Sequence, residues 1–197
     1  MKSLGRFFGI GGIALLAIVS PVQAARPQTS NPPQEKQPRV LRDPERARQR
    51  IIREVRHELV LLPWYSVFDN LAYKVEGDRV TLLGQVVRPV LKDDAEAVVK
   101  RIEGVAKVVN NIEVLPLSPN DDRIRRAVYR AIYGNSVLER YALQAVPPIH
   151  IIVKNGHVTL EGVVATEMEK NVARIQANGV PGTFSVTDHL RVEKESK

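Results

Sequence analysis

The sequence predicts an α+β fold made of two tandem units, each running helix, strand, strand, helix, strand. Three observations predict it. Residues 73–114 align with residues 151–192 at a constant offset of 78, with no gap and 11 of 42 positions identical. A repeat of that length is one supersecondary unit written twice. Apolar residues recur at helical spacing before and after each pair of strand-like runs. Those runs alternate apolar and polar residues around Gly-containing turn signals.

The first unit occupies 44–115. Asp43-Pro44-Glu45 supplies an N-cap, a proline at the first helical position and an early acid. Ile51, Val55, Leu59 and Leu62 follow on one stripe, and Pro63 ends the helix. "AYKVEGDRVTLLGQV" is a hairpin about Gly77-Asp78, with Tyr73, Val75, Val80, Leu82 and Val86 toward one face. Pro89 opens a second helix with Leu91, Ala95, Val98 and Ile102 inward, and Gly104 closes it. "AKVVNNIEV" is the third strand.

After a linker at 116–118, the second unit spans 119–193. Ser118-Pro119-Asn120-Asp121 starts its first helix, with Ile124, Val128, Ala131 and Ile132 inward. Asn155-Gly156 turns the hairpin between "IHIIV" and "HVTLEGVV". Thr166-Glu167-Met168-Glu169 is a capping box, and Met168, Val172 and Ile175 are expected to face the core. Gly84 and its repeat partner Gly162 fall where a core-facing residue is due. A missing side chain there predicts a bulge or the close approach of a helix. Each unit has its own caps and turns and is expected to fold alone, if marginally at this size.

These residues resemble the BON domain. Its pattern of "VTLxGxV", a helix, then "GVxxVxNxIxV" reads here as "VTLLGQV" with "GVAKVVNNIEV", then "VTLEGVV" with "GTFSVTDHLRV". The second copy departs from it at Thr183 and at Asp188, which stands where the first has Asn110. The chain is similar to periplasmic proteins carrying two BON units, of the osmotically inducible and outer-membrane-maintenance kind. That resemblance implies an αββαβ unit with a mixed three-stranded sheet packed against two helices. It also implies no catalysis and no cofactor, and contact with phospholipid or with an envelope protein.

Targeting is read from the first residues. Lys2 and Arg6 precede an apolar run from Phe7 to Val19, and Val22 and Ala24 end the segment. This is the pattern of a cleaved signal peptide over 1–24, placing the protein in the periplasm, with an uncleaved membrane anchor as the alternative reading. Residues 25–43 hold four prolines and little that is apolar, so they read as an extended, disordered tether. Residues 194–197 form a tail. The formal charge is +7, yet residues 44–115 carry 12 basic and 11 acidic side chains and residues 119–193 carry 9 and 8. Each folded unit is nearly neutral, which argues against nucleic acid as partner.

Catalytic chemistry is not legible. There is no cysteine, and His57, His150, His157 and His189 lack metal-ligand spacing. Asp188 and His189 are adjacent in a strand and point to opposite faces, a poor acid–base pair. Two surfaces remain. Arg125, Arg126, Tyr129, Arg130 and Tyr133 fall outside the inward stripe of their helix, and Leu138, Arg140 and Tyr141 follow it. Arginine and tyrosine together suit an anionic phospholipid surface, with an envelope protein as the alternative partner. Trp64, Tyr65 and Phe68 form a second cluster, a secondary candidate for an interaction site, read first as packing over a core or between the units. Leu83, Val87, Ile152 and Val163 on the outer sheet faces point to packing of unit on unit or to a homo-oligomer.

Overall fold

The pattern becomes two sheets, each covered on one face by two helices. The computed structural model describes residues 44–193. The segments read as signal peptide, tether and tail, and the Asp43 cap, lie outside the described residues. In the first unit, α1 (Pro44–Val60) leads to β1 (Asn70–Glu76) and β2 (Arg79–Val86), then α2 (Pro89–Lys100), β3 (Lys107–Asn110) and β4 (Glu113–Val114). In the second, α3 (Pro119–Tyr133) and a short 3₁₀ turn (Glu139–Leu143) precede β5 (Ile149–Lys154), β6 (His157–Val164), α4 (Glu167–Asn178) and β7 (Ser185–Val192). The hairpins are antiparallel, with Val75 opposite Val80 and Val153 opposite Val158. The last strand of each unit returns parallel to the middle one, so both sheets are mixed.

The cores follow the alternation. Val80, Leu82 and Val86 are buried, as are Val158, Leu160 and Val164. Ala95 and Val99 repeat as Ala173 and Ala177, and Ile112 as Leu190. Two inward stripes differ from expectation. On α2 the buried residue is Val99, with Val98 half-buried at the rim. On α4 Met168 and Ile175 are exposed, and Val172 is half-buried against the core. Both helices bury the same phase, and on α4 the capping-box Glu169 takes the inward place that Leu91 fills on α2. Glu169 turns inward to accept from Thr166 N–H, while its own N–H donates to Thr166 Oγ1. That phase carries Ala173 and Ala177 into the core and turns Met168 outward.

The two glycines have a different role from the bulge or helix contact expected, since the strand register runs unbroken through both. Their φ angles are +110° and +129°. A Cβ on Gly84 would lie 2.0 Å from Asn70 O, and one on Gly162 would lie 1.9 Å from Pro148 O. The neighbour that excludes a side chain is the backbone at the start of the preceding strand.

The third strand is broken in the first unit and continuous in the second. Asn110 Oδ1 accepts from Ile112 N–H, and its Nδ2 donates to Lys92 O and to Glu96. Asp188 keeps the acceptor half of this arrangement, taking Leu190 N–H at 2.9 Å.

Candidate functional site

The outer edge of β5 explains where most of the expected binding residues went. Ile149, Ile151 and Val153 turn their backbone groups away from β6, so this edge needs partners. Tyr133 Oη donates to Ile149 O at 2.6 Å and accepts from Ile149 N–H at 3.1 Å. Val67 O, from the first unit, accepts from Ile151 N–H at 2.8 Å. Arg125 Nη2 donates to Val153 O at 2.6 Å, and its Nη1 pairs with Asp122. Tyr133 and Arg125 are therefore buried residues that complete a sheet edge, and burial pushes the Tyr133 hydroxyl pKa up.

Leu138 and Tyr141 are also buried, contrary to the expected exposed surface. The 3₁₀ turn folds them back over their own core. Tyr141 Oη donates to Glu169 and accepts from Ala165 N–H at 2.9 Å. Burial alone would raise the Glu169 pKa. Hydrogen bonds from Tyr141 and from Thr166 N–H, with the Arg140 charge beside it, outweigh that and hold it below the ordinary carboxylate value.

Three of the expected residues do meet at a surface. Arg126 and Arg130 are exposed one helical turn apart, with Tyr129 half-buried between them. Neither arginine has an ion-pair partner among the described residues. They border a cleft of about 540 Å³ whose other wall is Tyr65, Ser66, Val67 and Phe68, with Ala145 and Pro147 at its end. Phe68 meets Tyr129 edge-on at 6.1 Å. No acidic side chain lines this cleft, so it can receive an anionic group beside aromatic carbon.

The aromatic cluster of the first unit divides. Tyr65 stacks on His150 of the second unit at 5.6 Å, and burial with the nearby Asp69 charge pushes its pKa up to about 12. The His150 pKa is lowered chiefly by burial, against the opposing pull of Asp69. Val67 and Phe68 pack into the second unit's core, so that core is not self-contained. Trp64 alone points outward. It is 65% exposed with φ +71°, under the guanidinium of Arg88 at 4.8 Å.

The outer sheet faces are partly covered within the chain. Ile152 is buried and shares a hollow with Gln85, Glu113 and Leu115, and Lys154 pairs with Glu113 across the units at 2.5 Å. Val163 lines a larger junction cleft of about 880 Å³ with Arg56, Tyr73, His150 and Arg191, where Glu161 is held by His189. Leu83 remains 39% exposed and Val87 is half-buried. Sequence reasoning missed four buried groups, namely Asp69, Asp121, Glu169 as a core residue, and Val67 as the neighbour's. Asp121 accepts Asn155 and Gly156 N–H and so holds the second hairpin turn. Among the described residues no cluster of acids and histidines could hold a metal ion, and no helix is long and apolar enough to cross a membrane.

Two αββαβ units with matched glycines, turns and mixed sheets meet a single family description. The BON domain matches residues 48–116 and again 120–194. The chain belongs to the BON-domain family. No curated protein matches it. Similar solved structures include CdsD, a structural protein of the type III secretion system of Chlamydia trachomatis. It is 14% identical over 74% of this chain and 94% of that one, with a TM-score of 0.26. The C-terminal domain of the same protein is 11% identical over 73% and 98%, again with a TM-score of 0.26. Likeness at that level says nothing further about these BON units. BON-domain proteins are commonly periplasmic and generally non-catalytic, which points to an envelope-associated protein without enzymatic activity.

Proposed function

We propose that this dual-BON protein is a non-enzymatic envelope component, exported by its N-terminal segment, whose second BON unit holds an anionic phospholipid surface. One observation supports the reading. Arg126 and Arg130 stand exposed and unpaired beside Tyr129, at a cleft with aromatic walls and no acid. Each arginine near an anionic bilayer contributes on the order of 1 kcal/mol, so binding is weak and reversible. Arg140 adds a third exposed cation on the same unit, although Glu169 partly neutralises it. Arg125, Tyr133, Leu138 and Tyr141 act only by holding that surface in shape.

The test is flotation of the exported protein with anionic and with zwitterionic liposomes at low and high salt. Binding should require anionic lipid and weaken as salt rises. Arg126→Glu with Arg130→Glu should abolish it without changing the melting temperature, because exposed unpaired charges contribute little to folding. Flotation that survives the double reversal overturns the reading. Salt-resistant capture of an envelope protein would favour a docking module instead.

A further inference from the structure

The internal repeat provides a control that a single domain lacks. Where equivalent positions in the two units leave an apolar side chain in solvent, chance exposure is a poor account, since the units share few residues outside the core. Most exposed apolar residues fail this comparison. Ile175 matches Ala97, Phe184 matches Ala106, and Leu83 matches Glu161. One position passes. Val90 and Met168, at the start of the second helix of each unit, are 46% and 62% exposed.

The surroundings of that position repeat too. In each unit the segment joining the first helix to the first strand comes back to the start of the second helix. In the first unit it brings Trp64, 65% exposed, under the guanidinium of Arg88, two residues before Val90, and Leu61, also 65% exposed, lies on the same segment. In the second it brings Tyr141 to Glu169, the residue after Met168; Arg140 lies over the buried Tyr141 ring at 4.9 Å and pairs with Glu169, and Leu143, 88% exposed, follows on the same segment. The sequences that achieve this are unrelated, and the connecting segments differ in length. Trp64 is the more telling of the two. A bulky aromatic in the left-handed region is a backbone outlier, and here its ring stands 65% exposed.

We infer that each BON unit carries an interfacial tip, built from Leu61, Trp64, Arg88 and Val90 in the first and from Arg140, Leu143 and Met168 in the second, and that both tips enter the head-group region of a lipid bilayer. The inference rests on the membrane reading above and extends it from one helix face to two points of insertion. The chemistry fits a bilayer interface better than a protein groove. Tryptophan prefers the head-group boundary, and aliphatic side chains beside it reach the acyl region. Arg88, over the Trp64 ring, offers its charge to phosphate while its stem stays with carbon, whereas Arg140 is already paired with Glu169. Arg88 has no ion-pair partner among the described residues. Two linked weak contacts hold a surface far longer than either alone, so the tips convert a salt-sensitive encounter into residence.

Trp64 is the only tryptophan in the chain, so its emission reports on the first tip directly. The full exported protein is mixed with vesicles of phosphatidylglycerol and phosphatidylethanolamine. Emission should shift to the blue, and lipids brominated on the acyl chains should quench it. Leu143→Ser with Met168→Ser, both fully surface positions, should lower partitioning about tenfold through lost apolar burial while the circular dichroism spectrum stays unchanged. Flotation without any change in Trp64 emission, or without an effect of the Leu143 and Met168 changes, overturns the tips and leaves the α3 reading standing. A Trp64 shift that persists in the Arg126→Glu, Arg130→Glu variant supports the tips and separates them from α3. Absence of vesicle binding by the unaltered protein at low salt overturns both.

Discussion

The backbone amide just past the middle strand sits in the same place in both BON units, as Val87 N–H in the first and Ala165 N–H in the second. Different chemistry holds it. In the first unit Asp69 Oδ1 accepts it at 2.8 Å, while Oδ2 accepts from Ser66 N–H and Ser66 Oγ. In the second unit the acceptor is Tyr141 Oη, itself donating to Glu169. The position demands an acceptor because a buried N–H left unpaired is costly. It does not specify which one. Duplication keeps geometric demands and frees the side chains that meet them. That freedom let one connecting segment fold back on its own core through Leu138 and Tyr141, and let the other spend Val67 on its neighbour.

The demand that duplication did not relax is the glycine of the middle strand, and breaking it should have the largest effect. Gly84→Ala and Gly162→Ala each force a Cβ onto a backbone carbonyl and hold alanine at positive φ. Strain of that kind costs about 1–3 kcal/mol before the backbone moves, so the total should exceed roughly 3 kcal/mol. Chemical denaturation of both variants checks it. A loss below 1 kcal/mol in either would mean the strand starts are free to shift.

Next comes the acceptor pair. Asp69→Ala leaves Val87 and Ser66 N–H without partners and should destabilise by about 3 kcal/mol. Tyr141→Phe removes one hydroxyl and should cost about 1–2 kcal/mol. It should also lift the Glu169 pKa, since Tyr141 is the largest of the influences lowering it. Because that pKa is depressed in the folded state, its contribution is present at neutral pH and is lost as pH falls through the folded value. Acid denaturation of Tyr141→Phe should therefore show a weaker loss over that range than the unaltered protein. An equal loss would assign the depression to Arg140.

The junction gives the third comparison. Val67 is counted in the core of a unit to which it does not belong in sequence. Val67→Ala should cost about 2 kcal/mol, felt mainly by the second unit. Hydrogen exchange should show faster opening at Ile151, whose N–H bonds to Val67 O, and little change at Leu82. Residues 119–193 expressed alone lack this side chain and should melt lower than the same unit within the whole chain. If they melt alike, the expectation of two autonomous units returns.

What was legible in the sequence follows from the same physics. The repeat, the hairpin turns and the cores were readable because they rest on period and burial, which are local properties of the chain. The face of α4 was misread because a charged residue, Glu169, takes an inward position and leaves only the small Ala173 and Ala177 to mark the buried stripe. Arg125 and Tyr133 were misread because period alone cannot show that a neighbouring strand edge lacks partners. An arginine outside the apolar stripe looks solvated until β5 is placed beside it. Val67 and His150 depend on the docking of the two units, to which no local pattern points. Arg126, Tyr129 and Arg130 were placed where the pattern put them, on the outward side of α3.

The smallest expected effect lies at a motif position where the copies differ only by an amide for a carboxylate. Asn110 both accepts, from Ile112 N–H, and donates, to Lys92 O at 2.9 Å and Glu96 at 3.0 Å. Asp188 only accepts. Asn110→Asp therefore loses two donor bonds, aims oxygen at a carbonyl oxygen and brings a carboxylate to Glu96. It should cost about 1–2 kcal/mol. Lowering the pH until that pair is protonated should recover part of the loss. Asp188→Asn keeps the Leu190 N–H acceptor and adds a donor at a half-buried site where water can serve it. Its cost should fall within about 0.5 kcal/mol of zero. Paired denaturation curves decide the matter. Equal losses at the two positions would mean that the accepted N–H, common to both, is all the fold requires. The contacts of Asn110 to α2 would then be incidental, and the break between β3 and β4 would need another cause.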